Sequence, residues 1–249
     1  MSFEGKSTLI TGANKNLGKE TALAFAKGGS NLALHYHSAK EKDALTKFAS
    51  DLESKYKIKT VVISGDLTKE EDTKNLFASA ISALGKIDIA INNVGMVLRK
   101  PLAEVSLAEY ETMFDTNTKA SFLFLREAAN KVAEDGSVIM LTTSLLAAYT
   151  EGYSIYQAAK AGVHMMCKAL SKETTRRISF NCVSPGPMDT PFLYGQETKE
   201  RVEFFKAQSP YGRLTEISDI VPILTFLAKD GHWITGQNLF ANNGFVAPF

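Results

Sequence analysis

Cysteine is scarce in this chain of 249 residues, which contains two cysteines, Cys167 and Cys182, that do not form a CxxC pair. That pattern offers no disulfide framework and no cysteine-based metal site, so we expect no bound metal and a reducing compartment. The sequence has no apolar run near the about 18–20 residues of a membrane helix. The stretch MSFEGKSTLITG at the start lacks the apolar segment of a secretory signal. These absences predict a cytoplasmic protein.

An excess of charge of one sign is also missing. The chain has 28 Lys and Arg residues and 27 Asp and Glu residues, which gives a formal net charge of +1. A surface for nucleic acid or for a membrane needs a strong basic field, so we expect neither partner. Hydrophobic residues make up 45% and charged residues 22% of the chain. These proportions are ordinary for a soluble globular enzyme.

Short β-branched runs alternate with segments of helical spacing nearly to the end of the chain. The strand candidates are residues 8–11, 32–36, 60–64, 87–92, 137–143, 178–184 and 237–241. The helix candidates are residues 18–27, 41–56, 69–84, 107–132 and 154–174. The strands are apolar throughout, as in a sheet covered on both faces. The rhythm predicts one α/β domain, residues 1–249, with a doubly wound parallel sheet of about seven strands. Residues 187–213 break the rhythm and are predicted to form a substrate lid.

A glycine-bearing turn, TGANKNLG at residues 11–18, follows the first strand. Glycines here let the backbone turn tightly and approach a pyrophosphate, and the N-terminus of the next helix binds the anion. Asn16 stands between Gly12 and Gly18, and asparagine tolerates a positive φ better than most residues. The alternative is a tight turn without a ligand. The predicted loop contacts are Gly12, Asn14, Lys15, Asn16, Leu17 and Gly18.

The end of the second strand indicates which dinucleotide the turn would hold. An acidic residue there would bind an adenosine ribose 2′-OH, but this chain has Tyr36, followed by His37 and Ser38, and the next carboxylate is Glu41. Lys15, His37 and the Ser38 hydroxyl suit a ribose 2′-phosphate. This favours NADP(H) over NAD(H). The alternative is that the strand-end histidines have no role in binding.

The segment GYSIYQAAKAG places a tyrosine and a lysine four residues apart. On a helix Tyr156 and Lys160 share one face. A tyrosine with a pKa of about 10 is a poor acid–base group near neutral pH, and an adjacent ammonium lowers that pKa. Tyr153 has glutamine rather than lysine four residues on, so it is not the predicted reacting tyrosine.

Five motifs in this order resemble those of short-chain dehydrogenases/reductases over essentially the whole chain. They are the glycine turn, the Asp66-Leu67 pair, NNVG at residues 92–95, the YxxxK pair and PGPMDT at residues 185–190. The resemblance implies a Rossmann-like fold. Asn16 replaces the family's usual middle glycine, Val94 its alanine, and Asn242-Asn243 an Asp-Gly pair. The loop and the segment LHYHS also resemble those of pteridine reductases.

The resemblance assigns roles to residues that composition and spacing do not. It implies that Asp66 caps the adenine, with Leu67 beside it. Further cofactor contacts that it implies are Asn93, Val94, Gly95, Tyr156, Lys160, Pro185, Gly186, Met188 and Thr190. The catalytic set that it implies is Asn117, Ser144, Tyr156 and Lys160, with Thr143 as the alternative to Ser144.

The expected reaction is hydride transfer between NADP(H) and a ketone, an aldehyde or the matching alcohol. In the reductive direction Ser144 and Tyr156 would bind the carbonyl oxygen, Tyr156 would donate a proton, and Lys160 would hold the nicotinamide ribose. The alternatives are a 3-oxoacyl-thioester reductase, a pteridine reductase and a non-catalytic NADP(H)-binding sensor or scaffold. By analogy we expect a homo-oligomer, a tetramer or a dimer. The predicted substrate contacts are Met96, Ser144, Tyr149, Tyr153 and Phe192, and further candidates are Val97, Tyr194, Phe204 and Phe205.

Overall fold

The computed structural model describes residues 2–148 and 150–247, so the predicted substrate contact Tyr149 lies outside the described residues. The strands are β1 (Ser7–Ile10), β2 (Asn31–Tyr36), β3 (Thr60–Ser64), β4 (Ile87–Asn92), β5 (Val132–Leu141), β6 (Ile178–Pro185) and β7 (Asn238–Ala241). The α-helices are α1 (Asn16–Lys27), α2 (Lys42–Tyr56), α3 (Glu70–Leu84), α4 (Leu107–Phe114), α5 (Ala120–Lys131), α6 (Ser154–Glu173), α7 (Pro191–Tyr194), α8 (Lys199–Gln208) and α9 (Ile217–Lys229).

The strands form one sheet in the order β3-β2-β1-β4-β5-β6-β7, and each pairing is parallel. The prediction of a doubly wound parallel sheet is confirmed. The strand order reverses direction between β1 and β4, where Thr8 pairs with Ile89 and Ile10 pairs with Ile91. In open α/β sheets a ligand binds outside the carboxyl ends of the strands at such a reversal point.

Each face of the sheet carries its own apolar layer. On one face Phe25 of α1 and Leu224 of α9 are fully buried in one cluster of core residues. On the other face Phe77 of α3 and Phe124 of α5 belong to a second cluster, and their ring centroids lie 5.2 Å apart. Because both faces are covered, the strands need apolar side chains on both sides, which accounts for their unbroken apolar runs.

Three elements differ from the sequence prediction. Strand β5 begins at Val132 rather than at residue 137, because Val132 already pairs with Ile87 of β4. The strand then bulges before its next pair with β4, and Asp135 in the bulge has a φ of 59°. The predicted helix 107–132 is α4 and α5 joined by a π-helical segment, Asp115–Lys119. Helix α9 was not predicted, and it contains Pro222, whose missing N–H argues against a helix in the sequence.

The predicted lid, residues 187–213, contains α7 and α8. Val202 and Phe205 of α8 pack against Leu214 in a small cluster apart from the main core. No helix in the described part of the chain is both long and apolar enough to cross a membrane.

A buried ionic cluster fastens the lid to the body of the fold. The side chain of Glu197 is fully buried between α7 and α8, and its carboxylate accepts a hydrogen bond from the hydroxyl of Tyr153. The Nε atoms of Arg99 and Arg201 each lie 3.6 Å from its second oxygen. Arg99 also pairs with Glu151 at the surface, at 3.2 Å. Three separate segments of chain therefore meet at one carboxylate.

Replacing the buried carboxylate tests how firmly the lid is held. Glu197→Gln keeps an acceptor for Tyr153 but leaves two partly buried guanidinium groups without their anion, so we expect the free energy of unfolding to fall by about 2 kcal/mol. Urea denaturation measures this change.

The matched control is Glu151→Gln, which removes a largely exposed carboxylate from the same arginine. Exposed ion pairs contribute little to stability, so this variant should unfold close to the wild type. Equal losses in the two variants would show that burial at Glu197 does not strengthen the cluster.

Candidate active site

A cleft of about 420 Å³ lies at the carboxyl edge of the sheet, between the strand ends and the lid. Predicted site residues that line the cleft are Gly12, Asn14, Lys15, Asn16, Leu17, His37, Ser38, Asn93, Val94, Gly95, Ser144, Tyr153, Tyr156, Lys160, Pro185, Gly186, Met188, Thr190 and Phe192. Val97 and Phe205 also line it. Residues from the glycine turn, the YxxxK pair and the lid, far apart in the sequence, thus form the wall of one cavity.

Other predicted site residues do not line the cleft. Tyr36 and Leu67 are 6% and 3% exposed and pack in the two core layers, because their side chains point into the apolar faces of the sheet. Asp66 accepts hydrogen bonds from the N–H and the hydroxyl of Thr68, so its carboxylate is used by the turn before α3. Met96 packs in the apolar cluster around Met113 and Tyr156.

Two residues of the lid, Tyr194 and Phe204, also lie outside the cleft lining and are half exposed. Tyr194 donates a hydrogen bond to Asp189, at 2.7 Å, and Phe204 lies beside the guanidinium of Arg201. Of the lid aromatics that were candidates for the substrate wall, Phe192 and Phe205 are the two that line the cavity.

The glycine turn has the geometry of an anion cradle. Gly12 has a φ of 60° and Asn16 a φ of 45°, as expected for asparagine in that place. A Cβ at Gly18 would overlap the carbonyl oxygen of Gly12, so α1 packs directly on the turn. Among the described residues no side chain caps the N-terminus of α1 and no acidic residue lies in its first turn. The positive end of α1 is thus available to a phosphate.

His35 holds the glycine turn in place from beneath. The N–H of Gly12 donates to its Nδ1 at 3.3 Å, and its Nε2 lies 3.0 Å from the carbonyl oxygen of Gly65. Burial lowers the pKa of His35 to about 4, so the ring is neutral near pH 7 and can accept at Nδ1. Both strand-end histidines line the cleft, but His35 is buried and holds the turn, whereas His37 is exposed.

The polar group at the adenosine end of the cleft is larger than the sequence indicates. Lys15, His37 and Ser38 line it as predicted, and Glu41 lies among them. A 3₁₀ turn, Ala39–Glu41, brings the Glu41 carboxylate back toward the strand end. Its Oε1 accepts from the Asn14 amide at 2.7 Å and its Oε2 from the Ser38 N–H at 3.2 Å. In the sequence Glu41 follows the predicted contacts, and the 3₁₀ turn is what brings its carboxylate to the cleft.

Tyr156 and Lys160 lie on one face of α6, and both are buried at the cleft wall. Burial raises the pKa of Tyr156 to about 12, and a hydrogen bond with Thr143 opposes that rise. Burial lowers the pKa of Lys160 to about 8, and its Nζ donates to the carbonyl oxygen of Leu141 at 3.0 Å. The expected lowering of the pKa of Tyr156 by Lys160 is not found: desolvation of the phenol raises this pKa, and the opposing effect comes from Thr143.

The two candidate polarising hydroxyls follow β5 directly. Ser144 begins a 3₁₀ turn, Ser144–Ala147, and Thr143 caps that turn by accepting the N–H of Leu145 at 3.3 Å. Both residues line the cleft, and Thr143 rather than Ser144 acts on the pKa of Tyr156. Ser144, the predicted polarising hydroxyl, and Thr143, its alternative, both stay candidates.

Asn117 is fully buried in the π-helical segment, behind the cleft wall. Its Oδ1 accepts the N–H of Met96 at 3.2 Å, and its amide donates to the carbonyl oxygens of Met96 and Met113 at 2.9 and 3.1 Å. A Cβ at Gly95 would lie 2.8 Å from Oδ1 of Asn117 and 2.9 Å from Nζ of Lys160. Asn117 and Lys160 thus approach opposite sides of a space that only a glycine leaves open.

A protein-family profile described as "Enoyl-(Acyl carrier protein) reductase" matches residues 12–246. The chain is 33% identical to a "Short-chain type dehydrogenase/reductase" of Picea abies, over 97% of this chain and 93% of that protein. It is 32% identical to an "NADPH-dependent aldehyde reductase-like protein, chloroplastic" of Arabidopsis thaliana, over 97% of this chain and 94% of that protein. A crystal structure of a putative dehydrogenase from Burkholderia cenocepacia with bound NADP is 39% identical with a TM-score of 0.95, over 99% of this chain and 95% of that one. The chain belongs to the short-chain dehydrogenase/reductase family.

Proposed function

We propose that the protein is an NADP(H)-dependent oxidoreductase that reduces the carbonyl group of an aldehyde or a ketone, or oxidises the matching alcohol. The observation that carries this proposal is the placement of a buried tyrosine and a buried lysine, one helical turn apart, on the wall of a cleft that also holds an anion cradle. A phenol beside an amine can move a proton to or from a substrate oxygen. The cradle can hold a dinucleotide next to that oxygen.

NADP(H) fits the residues of this chain. The open N-terminus of α1 and the close packing of Gly18 on Gly12 suit a pyrophosphate, and Lys15 and His37 lie where a 2′-phosphate would be bound. The preference for NADP(H) is supported by the Arabidopsis relatives named NADPH-dependent and by the Burkholderia structure with bound NADP. When bound, the nicotinamide supplies or accepts the hydride.

The chain's own residues would hold the substrate oxygen and supply the proton. With a pKa near 12, Tyr156 is protonated at neutral pH and is ready to donate to the carbonyl oxygen during reduction. Thr143, or Ser144 next to it, would donate a second hydrogen bond to the same oxygen. Lys160, with a pKa near 8, is mostly cationic near pH 7 and would stabilise the phenolate left on Tyr156. Asn117 would fix the Met96 segment behind Lys160.

The assembly and the location of the protein stay predictions. We expect a homo-oligomer, a tetramer or a dimer, from family analogy. We also expect a cytoplasmic location, although two Arabidopsis relatives are named chloroplastic. The lid of residues 187–213 is proposed to cover the substrate, since Phe192 and Phe205 face the cavity.

Substitution of the reacting tyrosine tests the proton donor. Tyr156→Phe removes the hydroxyl and keeps the ring, so kcat should fall by about 10²–10⁴-fold while NADPH binds as before. The rate of NADPH consumption with aldehydes, ketones, quinones, 3-oxoacyl thioesters and pterins measures the first quantity. Calorimetry gives the dissociation constant of NADPH.

Tyr153→Phe is the matched control, because it makes the same change three residues earlier, at a hydroxyl already bonded to Glu197. It should keep most of kcat. Equal losses in both variants would remove the special role of Tyr156. NADPH binding by the wild type without turnover on any substrate class would instead favour the sensor.

The two hydroxyls after β5 can be separated by substitution. Because Thr143 opposes the rise in the pKa of Tyr156, we expect Thr143→Ala to lower kcat by about 10²–10³-fold, and Thr143→Ser to restore most of the loss. Ser144→Ala should have the smaller effect. A larger loss in Ser144→Ala than in Thr143→Ala would return the role to Ser144.

A further inference from the structure

The region of the cleft that suits a ribose 2′-phosphate already contains an anion, the carboxylate of Glu41. Three donors converge on this carboxylate: the Asn14 amide at 2.7 Å, the Ser38 N–H at 3.2 Å and the Lys15 ammonium at 3.8 Å. Ser38 and Glu41 also form a reciprocal capping box around the Ala39–Glu41 turn. The carboxylate is therefore held in one place rather than free in solvent.

These donors are of the kind that binds a phosphate group. An amide N–H, a backbone N–H and an ammonium each form stronger hydrogen bonds to an anion than to a neutral oxygen. In the structure the Glu41 carboxylate accepts hydrogen bonds from the Asn14 amide and the Ser38 N–H and forms an ion pair with Lys15, so it occupies the contacts that two phosphate oxygens could make. A dianionic 2′-phosphate that approached Asn14, Lys15 and Ser38 would meet a carboxylate bonded to the same groups.

The charges at this end of the cleft do not favour a dianion as strongly as the sequence suggests. Lys15 contributes one positive charge, and Glu41 cancels it at a distance of 3.8 Å. His37 is engaged through its Nδ1 with the carbonyl oxygen of Gly65, at 3.3 Å. A ribose 2′-hydroxyl, by contrast, can donate a hydrogen bond to a carboxylate and causes no repulsion.

We propose that Glu41 limits the preference of this protein for NADP(H) over NAD(H): its carboxylate competes with the 2′-phosphate of NADP(H) for Asn14, Lys15 and Ser38, and can accept the ribose 2′-hydroxyl of NAD(H). This inference rests on the proposed function as an NADP(H)-dependent enzyme. It assigns to Glu41 the discrimination that the sequence reading places at the end of β2, at Tyr36. Tyr36 is buried in the core and does not line the cleft.

Binding measurements on the full chain test this role without any substrate. Isothermal titration calorimetry gives dissociation constants for NADPH and NADH, and for 2′,5′-ADP and 5′-AMP, which differ in the 2′-phosphate alone. In Glu41→Gln the ratio of the NADH to the NADPH dissociation constant should rise at least about tenfold, which corresponds to about 1.4 kcal/mol. The ratio for the two adenosine fragments should rise in parallel.

Asp43→Asn is the matched control. Asp43 is exposed in the first turn of α2, two residues from Glu41, and does not line the cleft. The Asp43→Asn substitution also removes one negative charge, two residues from Glu41, but solvent screens an exposed charge at that position. Its ratio should stay within about twofold of the wild type. Glu41→Ala serves as a second neutral variant, and circular dichroism verifies that each variant is folded.

The outcomes separate this inference from the proposed function. An unchanged ratio in folded Glu41→Gln and Glu41→Ala, with NADPH still bound, would overturn the role of Glu41 and leave the proposed function standing. A rise of equal size in Asp43→Asn would also overturn it, because the effect would then come from the general field. Failure of the wild type to bind either dinucleotide would instead overturn the proposed function.

Discussion

The pairing of β1 with β4 is the constraint on which the rest of the site depends. Thr11 follows β1 and Asn92 ends β4, 81 residues apart in the sequence, and the Thr11 hydroxyl donates to the Asn92 side chain at 2.7 Å. The same hydroxyl accepts the N–H of Asn93 at 3.0 Å, and the Asn93 amide donates to the carbonyl oxygen of Gly12 at 3.3 Å. The glycine turn and the segment that leads to Gly95 are thus joined before any ligand is considered. A cleft at this edge follows from the strand order.

Desolvation then sets the chemistry of the two reacting residues. Burial acts in opposite directions on an acid and a base, so it raises the pKa of Tyr156 and lowers that of Lys160. Neither residue carries a charge favourably without a partner, because burying an unpaired phenolate or an unpaired ammonium costs free energy. In the proposed reaction they would form an ion pair when the proton leaves Tyr156, and the carbonyl oxygen of Leu141 already accepts a hydrogen bond from the amine. We therefore propose that the two residues act as one proton-transfer unit.

Much of the fold and of the site follows from the sequence, because strand rhythm and motif spacing are local properties. The seven parallel strands, the cradle at Gly12 and the place of Tyr156 are of this kind. The positions that could not be predicted from the sequence depend on the conformation of short turns. The 3₁₀ turn after Ser38 places Glu41 at the cleft, and the turn after β5 places both Thr143 and Ser144 on the cleft wall.

The residues around Glu41 and those around Lys160, at the two ends of the cleft, use different hydrogen-bond partners. The hydrogen bonds of Glu41 go to Asn14 and to the backbone of Ser38, whereas that of Lys160 goes to Leu141 and those of Asn117 go to Met96 and Met113. No hydrogen bond among the described residues links the two groups directly. Interaction energies between groups without shared partners are close to additive. We therefore expect a change of charge at Glu41 to alter dinucleotide binding without moving Tyr156 and Lys160, because the two groups use different hydrogen-bond partners.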